Sequence, residues 1–252
     1  MKKTLLMTVL LVTIAGLLMS ACQPAGETAP SGGESAATAG PAGDTSGMEV
    51  LLDPAMVPNA EANSYIYESL VKNMEGEDQP VAVLAIDGTV SEDGLDYIIN
   101  LRPGVTFHDG TTMNADAVIA NFNRWFDPQS MYRGSGTYDA WAANFGGFKG
   151  ELDADGKPKS NVDGIEKVDD LTVLVHLNAP DPDFQYKLAN PAFVIVSPAA
   201  LAAPGFGTKD GVDGGTGPYM IGAFTEESLT LEPFSDYWNQ SAIPTSSMEV
   251  AP

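Results

Sequence analysis

The chain contains a single cysteine, Cys22, and its position limits how the polypeptide can be stabilised. A lone cysteine cannot close a disulfide within the chain, so a folded domain must depend on its apolar core. An apolar run, Thr4 to Leu18, precedes the cysteine, and a polar stretch rich in Gly, Pro, Ser and Ala follows it. We therefore expect the folded part of the chain to begin well downstream of Cys22.

The first 22 residues are typical of a bacterial lipoprotein export signal. Lys2 and Lys3 supply a positive start, and the apolar run that follows is shorter than the about 20 residues that span a bilayer. Residues 19–22 (MSAC) resemble a lipobox, in which small residues just before the cysteine admit a peptidase and the cysteine thiol takes a diacylglycerol. The pattern predicts a cleaved signal peptide at 1–22, with lipidation of Cys22 as an extracytoplasmic membrane anchor. The alternative is an ordinary secretory signal in which the cysteine is incidental.

Residues 23–47 are predicted to form a disordered linker. They contain no aromatic residue and no aliphatic residue larger than alanine, so they cannot bury enough surface to offset the entropy of ordering. A coil of this length and composition spans roughly 25 to 30 Å between its ends. The remainder, residues 48–252, suits one domain or one lobe of a larger one.

The charge balance disfavours one class of partner. The sequence has 34 acidic and 12 basic residues, which gives a formal net charge of -22. Such a surface repels phosphate backbones, so we expect no nucleic-acid partner. Because the acidic residues are scattered through turns, we interpret them as the solvated surface of an exported protein.

Helices are predicted from apolar spacing and capping residues. Between Asn59 and Met74 the apolar residues recur at three- and four-residue steps, which is typical of a helix with one buried face. Asn114 is a candidate cap for a second helix, which Asp127-Pro128 would end. A short third helix is predicted from Ser197 to Gly205.

Strands are predicted at Val81 to Ile86 and around residues 95–101, with hairpins at 165–177 and 219–231. The stretch 129–161 lacks periodicity, so it is predicted to be a long irregular insertion. Helices and strands mix without a strict βαβ repeat. The fold class is therefore mixed α and β.

Several short motifs together resemble the family 5 extracellular solute-binding proteins, the oligopeptide, dipeptide and nickel receptors of ABC importers. They occur in the family's order over most of residues 53–238. The motifs are YIYESLV (65–71), VSEDGL (90–95), LRPGVTFHDGT (101–111), NADAV (114–118), VDDLTV (168–173), IVSP (195–198), GTGPY (215–219) and DYW (236–238).

The resemblance implies a type II periplasmic-binding-protein-like fold, with two lobes and a ligand enclosed between them. Family members are much longer, and in them the chain continues past the DYW motif to build the second lobe. We therefore expect residues 48–252 to form the N-terminal part of a solute-binding domain, an incomplete N-terminal lobe.

The function that the resemblance implies is capture of peptides or similar small solutes for import by an ABC permease. Lobe closure on the ligand would be the mechanism, without chemistry on the ligand. A truncated non-binding remnant, a structural surface lipoprotein, and a nickel- or sugar-binding member of the same family remain open as alternatives.

Candidate ligand contacts come from the insertion and from the start of the first helix. Aromatic residues in a flexible loop can provide rigid apolar walls with a polar edge, which favours Tyr132, Tyr138 and Trp141. Asn63 is a candidate polar contact. Local packing of the long loop is the alternative for these residues, and His108 is interpreted as a turn or packing residue.

Enzymatic and metal sites are not predicted. The sequence around Ser135 lacks the spacing of a nucleophile elbow, and no phosphate loop with a Gly-Lys-Ser/Thr ending is present. With two histidines in the chain and no cysteine in the folded part, we expect neither a metal nor a cofactor.

Overall fold

The computed structural model describes residues 52–56, 61–225 and 227–250. The predicted signal peptide, Cys22 and the linker at 23–47 lie outside these ranges. Within them, no helix has both the length and the apolar character needed to cross a membrane.

The described residues form short helices and antiparallel strands. The helices are α1 (Asn63–Ile66), α2 (Ala115–Phe126), α3 (Asp139–Phe145), α4 (Phe184–Leu188) and α5 (Pro198–Ala202). The strands are β1 (Val71–Lys72), β2 (Val81–Ala82), β3 (Ala85–Val90), β4 (Asp96–Leu101), β5 (Val162–Asp169), β6 (Thr172–Leu177), β7 (Tyr219–Phe224), β8 (Leu229–Pro233) and β9 (Met248–Val250).

The largest described sheet has the strand order β3-β4-β6-β5, and each neighbouring pair is antiparallel. Its inner face follows the period-2 alternation of the sequence, because Tyr97 and Ile99 on β4 pair with Val175 and Val173 on β6. These four residues are buried, and α2 packs against β5 and β6. The predicted hairpin at 165–177 is confirmed.

A second sheet, β7-β8-β9, covers a smaller apolar cluster. Leu229 and Leu231 on β8 pack there with Ile66, Tyr67 and Val196. The predicted hairpin at 219–231 is confirmed as β7 and β8, whereas β9 and α4 were not predicted.

Two helix caps predicted from sequence are confirmed. Asn114 Oδ1 accepts a hydrogen bond of 3.0 Å from the Ala117 amide at the start of α2. Ser197 Oγ accepts from the amides of Ala199 and Ala200 at the start of α5. Helix α5 ends at Ala202, earlier than predicted.

The predicted helix from Asn59 to Met74 is wrong over most of its length. Helix α1 ends at Ile66, and the chain then runs extended so that Ser69 bridges Val194. The carbonyl of Leu70 accepts from the amides of Val83 and Ala85, outside any helix. Apolar spacing was a misleading signal here, since the buried residues face two different parts of the fold.

The predicted irregular insertion at 129–161 contains regular structure. Helix α3 lies within it, and the side chains of Trp141 and Phe145 are buried in the larger apolar cluster. The prediction was therefore wrong for residues 139–145. The predicted strand at 81–86 is also divided, because β2 ends at Ala82 and β3 begins at Ala85.

Candidate functional site

A cleft of about 440 Å³ opens beside Glu68, and we call it the Glu68 cleft. One wall is the segment 61–72, and the other comes from residues near 189–194, 218 and 237. The residues that line it are Glu61, Asn63, Ser64, Tyr67, Glu68, Ser69, Lys72, Val83, Ala189, Pro191, Val194, Pro218 and Tyr237. Small apolar groups and a few convergent polar groups are the usual lining of a small-molecule site.

Close backbone contact fixes the first wall of the cleft. The carbonyl of Ile66 accepts a hydrogen bond of 2.9 Å from the Gly217 amide. A Cβ atom on Gly217 would lie 2.3 Å from the Tyr65 carbonyl oxygen, and one on Gly215 would lie 2.0 Å from that of Ile66. Glycine is therefore required at both positions for this approach. The GTGPY motif thus packs directly on the YIYESLV motif and leads into β7.

The Glu68 carboxylate joins three of the sequence motifs. Tyr237 Oη donates to its Oε1 at 2.8 Å, while Trp238 Nε1 donates to Oε2 at 2.8 Å and Thr216 Oγ1 donates to Oε2 at 3.1 Å. The guanidinium of Arg102 lies over the Trp238 ring, 4.1 Å from its centroid. The YIYESLV, GTGPY and DYW motifs therefore meet at one side chain.

Burial governs the electrostatics of the cleft. It raises the pKa of the Glu68 carboxyl, against the opposing effect of the hydrogen bonds from Trp238, Tyr237 and Thr216. Burial, and then the nearby Glu68 charge, raise the pKa of the Tyr237 hydroxyl. Burial likewise raises the pKa of Tyr67, so both phenols are neutral donors at physiological pH.

His108 has the packing role expected from sequence. Its buried imidazole places Nδ1 2.9 Å from Asp213 Oδ1 and Nε2 2.9 Å from the carbonyl oxygen of Gly217. The ring also contacts Phe234 edge-on. His108 therefore fixes the GTGPY turn behind the cleft. Among the described residues, no group of three His, Cys, Asp or Glu side chains is arranged to hold a metal ion.

The four predicted contact residues do not lie together. Asn63 lines the Glu68 cleft, and Tyr132, Tyr138 and Trp141 do not. Trp141 is 0% exposed and packs against Trp125, Phe145 and other rings. Ligand contact by these three aromatic residues stays a prediction, to which the observed packing lends no support.

Tyr138 has an unusual backbone conformation for a side chain of its size. It precedes α3 with φ of 56°, in the left-handed region. The guanidinium carbons of Arg124 and Arg133 lie 5.5 and 4.3 Å from the centroid of its ring. Its hydroxyl donates to the Arg133 carbonyl. A second cavity of about 310 Å³ lies nearby and is lined by Met56, Ser135 and Gly136 among others.

Sequence reasoning missed the central residues of the cleft, Glu68 and Tyr237. Both stand inside motifs that carried the family resemblance, so their positions were marked but their contact was not. They are 169 residues apart in the chain, and a single sequence gives no signal of such a pairing.

Comparisons with known proteins agree with this architecture. The profile of the bacterial extracellular solute-binding proteins, family 5 (middle region), matches residues 79–247. The glutathione-binding protein GsiB of Pectobacterium atrosepticum is 34% identical over 192 residues, which are 74% of this chain and 33% of that protein. The chain thus spans about a third of the length of the curated relatives it matches.

Solved structures give the same assignment. The periplasmic binding protein DppA of Helicobacter pylori, in complex with the peptide STSA, matches with a TM-score of 0.64 and 26% identity, over 80% of this chain and 40% of that one. HbpA2 of Haemophilus parasuis matches with the same TM-score and identity, over 81% of this chain and 41% of that one. The mixed α and β fold is therefore that of part of a periplasmic binding protein. This chain belongs to the family 5 bacterial extracellular solute-binding proteins.

Proposed function

We propose that this chain supplies the substrate-binding component of an ABC importer and that it captures a peptide or a similar small solute in the Glu68 cleft. The observation that carries the proposal is the meeting of the YIYESLV, GTGPY and DYW motifs at the wall of one polar cleft. The names of the relatives support the solute class, since they include a glutathione-binding protein and a receptor with a bound peptide.

The lining of the cleft suits a small peptide. Ser64, Tyr67 and Tyr237 offer hydroxyl groups that can bond to amide groups, and Val83 and Pro191 offer apolar contact. Tyr67 and Tyr237 are 4% and 6% exposed, so packing already restricts their side chains and binding to them costs little further entropy.

The mechanism that we propose is capture without chemistry. The ligand would favour a closed state over an open state by binding the closed state more tightly, and the closed state would be presented to the membrane permease. The relatives are solute-binding proteins of transport rather than enzymes, which agrees with this mechanism.

The binding experiment is a calorimetric titration of the full chain. The panel holds di-, tri- and tetra-alanine, the peptide Ser-Thr-Ser-Ala and reduced glutathione, with Ni²⁺ and maltose as members of other solute classes. We expect saturable heat with at least one peptide. At a peptide concentration of 100 times Kd, binding adds about 2.7 kcal/mol to the free energy of unfolding, which raises Tm. Heat with Ni²⁺ or maltose alone would contradict the peptide assignment, and no heat with any member would favour a non-binding role.

The location that we propose is outside the cytoplasm, with the protein held at a membrane by acyl chains on Cys22 and by the tether at 23–47. The sequence of the first 22 residues supports this, together with the extracellular family. Metabolic labelling with palmitate in a bacterial host tests it. We expect label in the wild-type chain and none in Cys22→Ala, whereas Ser20→Ala is the control that keeps its label. Equal labelling of wild type and Cys22→Ala would contradict the anchor.

A further inference from the structure

His108 is a buried imidazole with a hydrogen-bond acceptor beside each of its ring nitrogens. Its side chain is 0% exposed. Nδ1 lies 2.9 Å from Asp213 Oδ1, and Nε2 lies 2.9 Å from the carbonyl oxygen of Gly217. A neutral imidazole carries one N–H and one bare nitrogen, so it can donate to one of these oxygens while a lone pair faces the other. Donation to both oxygens requires the doubly protonated imidazolium.

Asp213 supplies the negative charge that a buried imidazolium needs. Its Oδ1 also accepts from the Gly215 amide at 3.1 Å, and its Oδ2 accepts from the Ile221 amide at 2.7 Å. Hydrogen bonds from two backbone amides favour the ionised form of a carboxyl group. The proton between the two side chains therefore belongs on Nδ1 of His108, and the pair is ionic.

The other titratable groups around the ring add no positive charge. Burial raises the pKa of Glu68, whereas its hydrogen bonds and then the His108 charge lower it. Asp109 follows His108 in the chain, and its carboxylate accepts from the hydroxyl that caps α5. Tyr67 is neutral, because burial and then the Asp213 charge raise the pKa of its hydroxyl. These surroundings favour the protonated ring.

His108 binds the turn at 213–217 at three places. The ring contacts the first and the last residue of the turn, and the backbone amide of His108 donates to the Gly215 carbonyl at 2.8 Å. The residue that follows the turn, Pro218, lines the Glu68 cleft. The wall of the cleft therefore depends on a turn that His108 holds in place.

We propose that His108 is a proton-dependent latch, in which the imidazolium holds the 213–217 turn through hydrogen bonds to both Asp213 and Gly217. Loss of one proton breaks one of the two bonds and leaves a bare nitrogen facing an oxygen in a buried site, which is unfavourable. The turn, and the cleft wall beside it, are then held less firmly. This inference goes beyond the proposed function and does not depend on it, because the latch is measured in the unliganded chain.

The direct test is nuclear magnetic resonance of the unliganded full chain with ¹⁵N-labelled histidine. The chain has two histidines, so His176→Gln leaves His108 as the one labelled ring. His176 lies on β6, where its Nδ1 is 2.7 Å from Asp96 Oδ1, away from the latch. An ordinary imidazole, which loses its proton near pH 6.5, is about nine-tenths neutral at pH 7.5. We expect both nitrogens of His108 to carry protons at this pH, and one bare nitrogen overturns the proposal.

Asp213→Asn separates the charge of the latch from its shape. The amide oxygen of asparagine can still accept from Nδ1 but supplies no negative charge. We therefore expect the His108 ring of this variant to be neutral at pH 7.5, with one bare nitrogen. Two protonated nitrogens in Asp213→Asn overturn the ionic pairing.

Should Asp213→Asn not fold, urea unfolding of wild type and His108→Gln at pH 6.5 and 7.5 decides. The folded wild type keeps a ring proton that the unfolded chain loses over this range, so its stability falls as pH rises. We expect the unfolding equilibrium constant of wild type, divided by that of His108→Gln, to rise about fivefold from pH 6.5 to 7.5. A ratio that is unchanged or falls overturns the proposal.

Discussion

Glu68 accepts hydrogen bonds from residues that follow it by 148, 169 and 170 positions in the chain. Local sequence patterns give no access to such contacts, which is why the central residue of the cleft was not predicted. Asn114 and Ser197 were predicted correctly because a cap bonds to amides two or three residues away. For a single residue, a contact can be predicted from sequence when its partner lies a few positions away in the chain, and not when the partner is more than a hundred positions away.

The pH dependence of stability tests the burial of Glu68. Its pKa is raised above the ordinary 4.5 in the folded chain, so the folded state binds more protons than the unfolded state just above that pH. We expect the free energy of unfolding of wild type, relative to Glu68→Gln, to fall as pH rises from about 4.5 through the raised pKa. Urea unfolding at several pH values between 4 and 7 measures this difference, because the other titrating groups are common to both proteins. A difference that is constant or grows with pH would contradict the burial.

The buried pair of Arg124 and Asp53 should matter more than exposed pairs. The two residues are 3% and 5% exposed, and Arg124 Nη2 donates to Asp53 Oδ2. Removing one partner of a buried pair leaves an uncompensated charge, so we expect Asp53→Asn to lower the free energy of unfolding by about 3 kcal/mol.

The matched control is the exposed pair of Lys149 and Asp127, whose lysine side chain is 55% exposed. We expect Lys149→Gln to change stability by less than about 1 kcal/mol. Urea unfolding of Asp53→Asn and Lys149→Gln measures the loss of unfolding free energy in each variant. Similar losses would contradict the expectation that the buried pair matters more than the exposed one.

Among the secondary-structure elements, the ones predicted correctly from sequence are those whose apolar pattern matches the face that is buried. Strands β4 and β6 alternate because one face of their sheet is buried, and α2 has one apolar face because it packs on that sheet. The segment 67–74 has the apolar spacing of a helix but is not helical, because the carbonyls of Glu68, Ser69 and Leu70 accept hydrogen bonds from distant residues of the chain. Met74, the last apolar residue of the pattern, is 54% exposed. Helix α3 was missed because its seven residues lie between turns rich in glycine.

Helix α3 provides the clearest test of packing against ligand contact. Trp141 fills the centre of an aromatic cluster with Trp125, Phe126 and Phe193, so we expect Trp141→Ala to lower the free energy of unfolding by about 3 to 5 kcal/mol. Tyr132 is half-buried, so we expect Tyr132→Ala to lower the free energy of unfolding by less than Trp141→Ala does. Urea unfolding compares the two variants. A Trp141→Ala variant that keeps wild-type stability but loses peptide binding would restore Trp141 as a ligand contact.

For the whole molecule, the mixed α and β class and the family followed from the order of short motifs, since these mark the turns and crossings of the fold. GTGPY needs its glycines because two backbone segments touch there, and LRPGVTFHDGT ends β4 and leads to the buried His108. The location of the cleft could not be predicted from the motifs, because it depends on how motifs that are distant in the chain pack against one another. The central claim is that ligand enters where they meet, beside Glu68, and not beside the aromatic residues of the 129–161 stretch.

A paired calorimetric titration of two tryptophan variants tests this claim most directly. Ser64→Trp fills the Glu68 cleft, and Ser135→Trp, at another exposed serine, fills the second cavity near Tyr138. With the panel peptide that wild type binds tightest, we expect Ser64→Trp to weaken binding at least tenfold and Ser135→Trp to leave it within about twofold. Loss of binding in Ser135→Trp with full binding in Ser64→Trp would contradict the account.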